Sequence, residues 1–272
     1  MHNILSVDLE ESFCAHNLES LVPRGKWESQ TLRIEANAVK LLDLFDSFKV
    51  EATFFVLGWI AAQLPHLVKE IAARGHEIAT HGYGHSLITC QTPAEFEADL
   101  KLALEVTAPL VPSPIRGYRA PSFTITPKTT WAYPILERNG IAYDSSVFPI
   151  RGHPDYGFPG AALSPFPVSP RLTEFPLSCV TVGNLKIPAS GGAYFRLLPW
   201  FVSRLLFKRC LKQGRCVVFY LHPWEIDAGQ PRYPLPFLRR LRQYCNIGTT
   251  EQKVRRMLGE FSFTSFRKAL SL

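Results

Sequence analysis

The sequence predicts an α/β fold built on parallel strands, and three observations carry that prediction. Short apolar runs of strand length alternate with amphipathic helical stretches through the first 145 residues. The connections between them are short, as in right-handed strand–helix–strand units. Acidic, imidazole and guanidinium side chains recur where the predicted strands end, which is where parallel α/β folds gather functional groups.

Residues 3–8 form a short apolar run ending in acid, a buried strand by its length. Ile34, Ala38, Leu41, Leu42, Phe45 and Phe48 recur at helical spacing, so residues 31–48 read as an amphipathic helix. Residues 52–57 are β-branched and aromatic, a second strand, followed by Gly58. A helix over 65–73 stops at Gly75, and 76–80 is a third strand. Thr92-Pro93-Ala94-Glu95 opens the next helix with a capping box and a proline at its first position. Residues 115–119 are a fourth strand. A helix from Thr126-Pro127 ends near Gly140, with Pro134 expected to kink it. Residues 141–143 are a fifth strand. The Pro- and Gly-rich stretch 148–170 reads as a long loop whose Phe148, Tyr156, Phe158 and Phe166 pack back on the domain. A helix at about 199–213, a sixth strand over 216–221 and two helices after Pro236 complete the chain.

Length and composition bound the rest. The 272 residues are 46% hydrophobic and 19% charged, which excludes a disordered or fibrous chain. No apolar run approaches the ~20 residues that span a bilayer, and the N-terminal residues lack a secretory pattern, so the expected location is cytoplasmic. None of the six cysteines forms a CxxC pair, so reduced thiols are expected. The net charge of +7 is concentrated late, at Arg239, Arg240, Arg242, Arg255, Arg256, Arg267 and Lys268. No nucleic-acid module accompanies it, so no nucleic-acid partner is expected. A solvated basic face and contact with an anionic glycan or membrane surface are the two readings left open.

The strand ends carry the chemistry. His81 and His85, four apart, can converge on one ion. Asp8 and Glu10 share a side if the first strand continues. Two histidines and a carboxylate make a catalytic divalent-metal site with positions left for water and substrate. The second carboxylate can then accept a proton from water. His222 is a candidate acid on the far side. Arg119 can hold Asp8 ionised, and Asp144 can orient the imidazole of His222. Neutral imidazoles are needed for ligation, so metal affinity is expected to fall below about pH 6. Taken singly, each of these residues also has an ordinary structural reading, such as a surface histidine, a solvated strand end or a salt bridge.

Five segments in order resemble the motif series of the polysaccharide deacetylases, the NodB-homology enzymes of carbohydrate esterase family four. They are Ser-Val-Asp-Leu-Glu-Glu (6–11), Thr-His-Gly-Tyr-Gly-His (80–85), Gly-Tyr-Arg-Ala-Pro-Ser-Phe (117–123), Tyr-Asp-Ser-Ser (143–146) and Tyr-Leu-His-Pro-Trp-Glu (220–225). Gly191-Gly192-Ala193-Tyr194-Phe195-Arg196 is similar to the subgroup beside exopolysaccharide and exosortase systems. The resemblance implies a distorted (β/α) barrel of about seven parallel strands in one catalytic domain, 1–272, with 228–272 as a helical extension. It implies one divalent ion, zinc first, with cobalt or nickel as alternatives, and hydrolysis of N-acetyl groups on amino sugars. By position, Asp8 matches the base, His81 and His85 the metal ligands, and Arg119 the residue that positions the base. Asp144 matches the partner of the catalytic His222, Leu221 an apolar residue of the acetyl pocket, and Ser122 the site of a backbone oxyanion donor. The family commonly has adjacent aspartates, whereas Leu9 follows Asp8 here. Strand alternation therefore favours Glu10 over Glu11 as third ligand, with an exchange of roles between Asp8 and Glu10 left open.

The leading function is removal of acetyl groups from N-acetylhexosamine units of a glycan, with peripheral contact to a membrane or to exopolysaccharide machinery left open. A metal-dependent amidohydrolase acting on a small cyclic amide or ureide is a second reading, and a non-catalytic glycan-binding homologue a third. Trp59, Tyr83, Tyr194 and Trp224 around an open groove would favour sugar rings, with Tyr83 and Trp224 as expected substrate contacts.

Overall fold

The computed structural model describes residues 2–153, 155–183 and 185–271. Its strands are β1 (Asn3–Leu9), β2 (Thr53–Val56), β3 (Glu77–Thr80), β4 (Gly117–Tyr118), β5 (Tyr143–Asp144), β6 (Phe166–Pro167), β7 (Thr173–Glu174), β8 (Cys179–Val182), β9 (Leu185–Pro188), β10 (Val218–Leu221) and β11 (Phe263–Thr264). Its helices are α1 (Ile34–Phe48), α2 (Gly58–Gln63), α3 (Pro65–Ala73), α4 (Pro93–Thr107), α5 (Ala132–Arg138), α6 (Gly192–Leu197), α7 (Trp200–Lys212), α8 (Phe237–Tyr244), α9 (Ile247–Glu260) and α10 (Phe266–Leu270).

The order β10-β1-β2-β3-β4-β5-β7 runs parallel throughout. These strands form a curled half-barrel, which among the described residues is not closed by pairing between β10 and β7. β6 adds an antiparallel edge, and β8 and β9 form a separate hairpin. β1 is buried at every residue, as a strand covered on both faces requires. Its Leu5, Val7 and Leu9 and the Ala38, Leu41, Leu42 and Phe45 stripe of α1 join one core cluster.

The predicted capping box of α4 is formed, with Thr92 Oγ1 accepting from the Glu95 amide and Glu95 accepting from the Thr92 amide (2.8 Å). Three expectations need correction. Pro134 kinks nothing, because α5 begins only at Ala132 and a proline in the first turn breaks no helical hydrogen bond. The stretch 148–170 packs its aromatics as expected, Phe148 stacking on Tyr156 at 5.5 Å, but it also supplies β6. Residues 228–272 are not simply an appended helical extension: β11 pairs with Asn3 and Ile4 of β1, so the tail completes the sheet. The short elements α2, α6, β8 and β9 carried no signal long enough to read.

Candidate active site

The C-terminal ends of β1, β3, β4 and β10 deliver the site. Asp8 lies in β1 and Glu10 just beyond it, on the same side as alternation requires. Glu11 is committed elsewhere: its Oε1 accepts the backbone N–H groups of Arg33 and Ile34 and so caps α1. His81 and His85 follow β3 on a turn that is neither helix nor strand. Gly82 has φ +72°, and His85 itself sits in the left-handed region at φ +54°. Asp99 of α4 clamps that turn, accepting from the amides of Tyr83 (2.7 Å) and Gly84 (3.1 Å). A non-glycine residue held at positive φ by such contacts marks strain kept for a purpose.

Glu10, His81 and His85 each offer a ligand atom within 4.8 Å of one another. Glu10 Oε2 lies 2.7 Å from His85 Nε2 and 3.9 Å from His81 Nε2. That carboxylate oxygen is buried, and apart from the approach of His85 it has no hydrogen-bond partner among the described residues. The Nδ1 of His81 bonds the carbonyl of Arg119 at 2.8 Å, which leaves Nε2 for ligation. An orphaned carboxylate oxygen facing two imidazoles is a donor set that fits zinc-type ions. Burial opposes ionisation of Glu10, yet His85, His222 and His81 hold its carboxyl down at about 2. Burial holds the His81 imidazole at about 4, so His81 is neutral well below pH 6 and does not set the acid limit expected from ordinary histidines.

Arg119 is fully buried and fixes Asp8. Its Nη1 donates to Asp8 Oδ1 at 2.6 Å and to Ser6 Oγ at 2.8 Å, its Nε to the Ser145 carbonyl, and its Cζ lies 4.1 Å from the Phe55 ring centre. His222 closes the far side: its Nε2 lies 3.8 Å from Asp8 Oδ2 and 3.6 Å from Glu10 Oε1, and Trp224 stacks on its ring at 4.8 Å.

The partner of His222 is Glu225, not Asp144. Glu225 Oε2 meets Nδ1 at 3.2 Å and also accepts the His222 backbone amide at 3.0 Å. Arg196 of α6 donates to the other Glu225 oxygen at 2.6 Å, and its remaining N–H groups bind the carbonyls of Arg242, Gln243 and Cys245 at the end of α8. Burial favours neutral His222, but Glu225, Glu10 and Asp8 outweigh it and push the imidazole up to about 9. Asp144 instead accepts from Ser146 Oγ at 2.5 Å, and Ser146 in turn accepts the Ala120 amide at 2.7 Å. It is packed beside Glu174, where burial raises both carboxyls and Glu174 the further. The spacing His222-x-x-Glu225, a capping-box pattern, was the sequence signal for the true partner.

A cavity of about 350 Å³ opens over these groups and is lined by Asp8, Glu10, His81, His85, Ser122, Tyr156, Tyr194, His222 and Trp224, among others. Two expected substrate contacts are absent from it. Leu221 belongs to the apolar core, and Tyr83 lies outside the lining, 5.4 Å from the Arg24 guanidinium. Trp59 is likewise in the core, edge-on to Trp27 at 5.2 Å.

The Arg196–Glu225 pair is almost wholly buried, so Arg196→Met strips the buried carboxylate of its nearer cation and leaves it to His222 alone. An unfolding free energy lower by about 3–5 kcal/mol is expected in urea titrations, and an unchanged midpoint would show the pair idle. Glu225 is held down at about 2 against an ordinary 4.5, because Arg196 and His222 outweigh burial. Its contribution is therefore present above pH 4.5 and is lost as pH falls toward about 2.

Residues 26–141 match the family model described as polysaccharide deacetylase, and residues 145–271 match one described as a domain of unknown function, DUF3473. The first covers His81, His85 and Arg119; Arg196, His222 and Glu225 fall in the second. Over 84 residues the chain is 36% identical to a peptidoglycan-N-acetylglucosamine deacetylase of Bacillus cereus, covering 29% of this chain and 39% of that one. Over 82 residues it is 34% identical to a chitooligosaccharide deacetylase of Bradyrhizobium, covering 30% and 37%. The matched stretch thus spans less than two-fifths of either relative's length. A solved chain from Mycobacterium smegmatis, described as a polysaccharide deacetylase, aligns over 97% of this chain and 87% of its own, with TM-score 0.57 and 20% identity.

Proposed function

We infer from the match of residues 26–141 that the chain is of the polysaccharide deacetylase family, and on that premise we propose that it removes acetyl groups from N-acetylhexosamine units of a glycan. The observation that carries the reading is the pairing of a carboxylate–bis-imidazole cluster with a second, arginine-held carboxylate and with His222, all lining one cavity.

Glu10, His81 and His85 would hold the divalent ion, zinc before cobalt or nickel. Such an ion supplies Lewis acidity toward an acetyl carbonyl and makes a water easier to deprotonate. Asp8 takes the proton from the attacking water; Arg119 keeps that carboxylate aimed. The backbone N–H at Ser122, on a segment held at φ +50°, is the proposed oxyanion donor. His222 delivers its Nε2 proton to the departing amine as the carbon–nitrogen bond breaks, and Glu225 keeps the ring oriented. Products are acetate and the free amino sugar. Tyr156, Tyr194 and Trp224 in the cavity wall support sugar rings over a small cyclic amide.

The test is acetate release from N-acetylchitooligosaccharides and from peptidoglycan fragments, before chelation, after chelation and after metal is restored. Release that disappears with chelator and returns with about one ion per chain is expected. No release from either glycan by metal-loaded protein would overturn the proposal.

A further inference from the structure

Among the described residues, seven of the eleven exposed large apolar side chains lie between Leu197 and Leu241: Leu197, Phe201, Leu205, Leu211, Phe237, Leu238 and Leu241. Phe237 and Leu238 are 66% and 75% exposed, and Phe201 is 70% exposed. Single exposed leucines are ordinary; seven such side chains confined to α7, α8 and the last residue of α6 are not. No helix among the described residues is long and apolar enough to cross a membrane.

The charge of the same helices is one-sided. α7 carries Arg204, Lys208, Arg209 and Lys212, and α8 carries Arg239, Arg240 and Arg242; neither has an acidic residue. Arg204 and Lys208 are partly neutralised by Glu260 of α9. The arginines of α8 have no acidic partner within ion-pair distance among the described residues. The guanidinium of Arg240 lies 6.0 Å from the Phe237 ring. Apolar side chains beside unpaired arginines on a short amphipathic helix suit the boundary between anionic headgroups and acyl chains. The cavity reaches this place. Leu197, Leu238, Leu241 and Arg242 all line it, and Arg196 binds the last carbonyls of α8 to Glu225 beside His222.

We propose that α8, with Leu197 and the start of α7, is a docking surface for an anionic lipid bilayer and seats the cavity mouth at the membrane face. The substrate class this favours is a glycan presented at a lipid surface. That last step rests on the deacetylase reading; the docking itself does not.

The test is co-sedimentation with vesicles of phosphatidylglycerol and phosphatidylcholine against vesicles of phosphatidylcholine alone. The wild-type chain is compared with the triple variant Phe237→Ser, Arg239→Ser, Arg240→Ser. None of these three residues lines the cavity. Binding to the anionic vesicles alone is expected, weakening with salt. The variant should bind at least about 30-fold less, from the two lost charges before the lost phenylalanine is counted. Its circular dichroism and its acetate release from soluble oligosaccharide should match wild type. Equal binding to neutral vesicles, or none to anionic vesicles at low salt, would overturn the proposal. So would a concentration-dependent dimer by light scattering that the same substitutions abolish, because a second copy would then be the occupant. If vesicle binding holds while no glycan is deacetylated, the catalytic reading fails and the docking surface stands.

Discussion

Asp8→Asn is expected to lower turnover by about 10²–10⁴-fold while the protein keeps its metal, the range lost with a general base. Glu10→Gln is expected to do the reverse in order of cause, releasing the ion first and activity with it. The two acids are two residues apart and share a face, yet their surroundings divide them. Asp8 is held by a guanidinium at 2.6 Å, whereas Glu10 has an unpartnered oxygen turned to His85 and His81. Elemental analysis and acetate release measured on both variants separate the roles. An Asp8→Asn protein without metal beside a Glu10→Gln protein that retains it would exchange the assignments. A rim position suggests that Asp8 carries little stability, but burial argues otherwise. Arg119 is fully buried and Asp8 is its only carboxylate contact among the described residues, so Asp8→Asn leaves an uncompensated charge. Ser6, Ser145 and Phe55 still hold the guanidinium, which puts the expected cost near the lower end of about 3–5 kcal/mol.

What could be read from the sequence was whatever one element determines by itself. Alternation along β1 separates Glu10 from Glu11, and the amides of Arg33 and Ile34 then occupy Glu11. The strand ends point their polar groups to one rim because parallel strands share a direction. What could not be read was the order in which strands stand beside each other. Asp144 and His222 both end strands, but β5 and β10 are separated by β4, β3, β2 and β1 across the sheet. Glu225 reaches the same imidazole from three residues away along the chain, with no sheet to cross. Leu221 and Tyr83 do not line the cavity, for separate reasons. Leu221 precedes His222 at the end of β10 and so faces the opposite side, into the core, whereas Tyr83 sits on a turn to which no such alternation applies and meets Arg24. β11 was hidden because two residues carry no periodicity; its place is set by pairing with β1.

His222→Ala should lower deacetylation far more for poor leaving groups than for good ones. An amine expelled from a tetrahedral intermediate needs a proton, so the N-acetylated sugar should lose about 10²–10⁴-fold. An aryl acetate expels a stable phenolate and should lose much less, since Asp8 and the metal ligands are untouched. The same selectivity separates the two candidate partners of the histidine. Glu225→Gln keeps the shape but removes the charge that helps push His222 up to about 9, so the alkaline limb of the amide profile should move to lower pH while the aryl ester changes little. Asp144→Asn should leave the ratio of the two substrates unaltered, because its contacts run to Ser146 and Glu174 and through Ser146 to the Ala120 amide. Any loss it causes should appear equally on amide and ester, as a displaced loop would produce. Equal losses on both substrates for His222→Ala, with metal content unchanged, would mean that His222 is not the acid. The Arg196–Glu225 pair would then be an anchor for the end of α8, and the proton for the departing amine would have to come from another group lining the cavity.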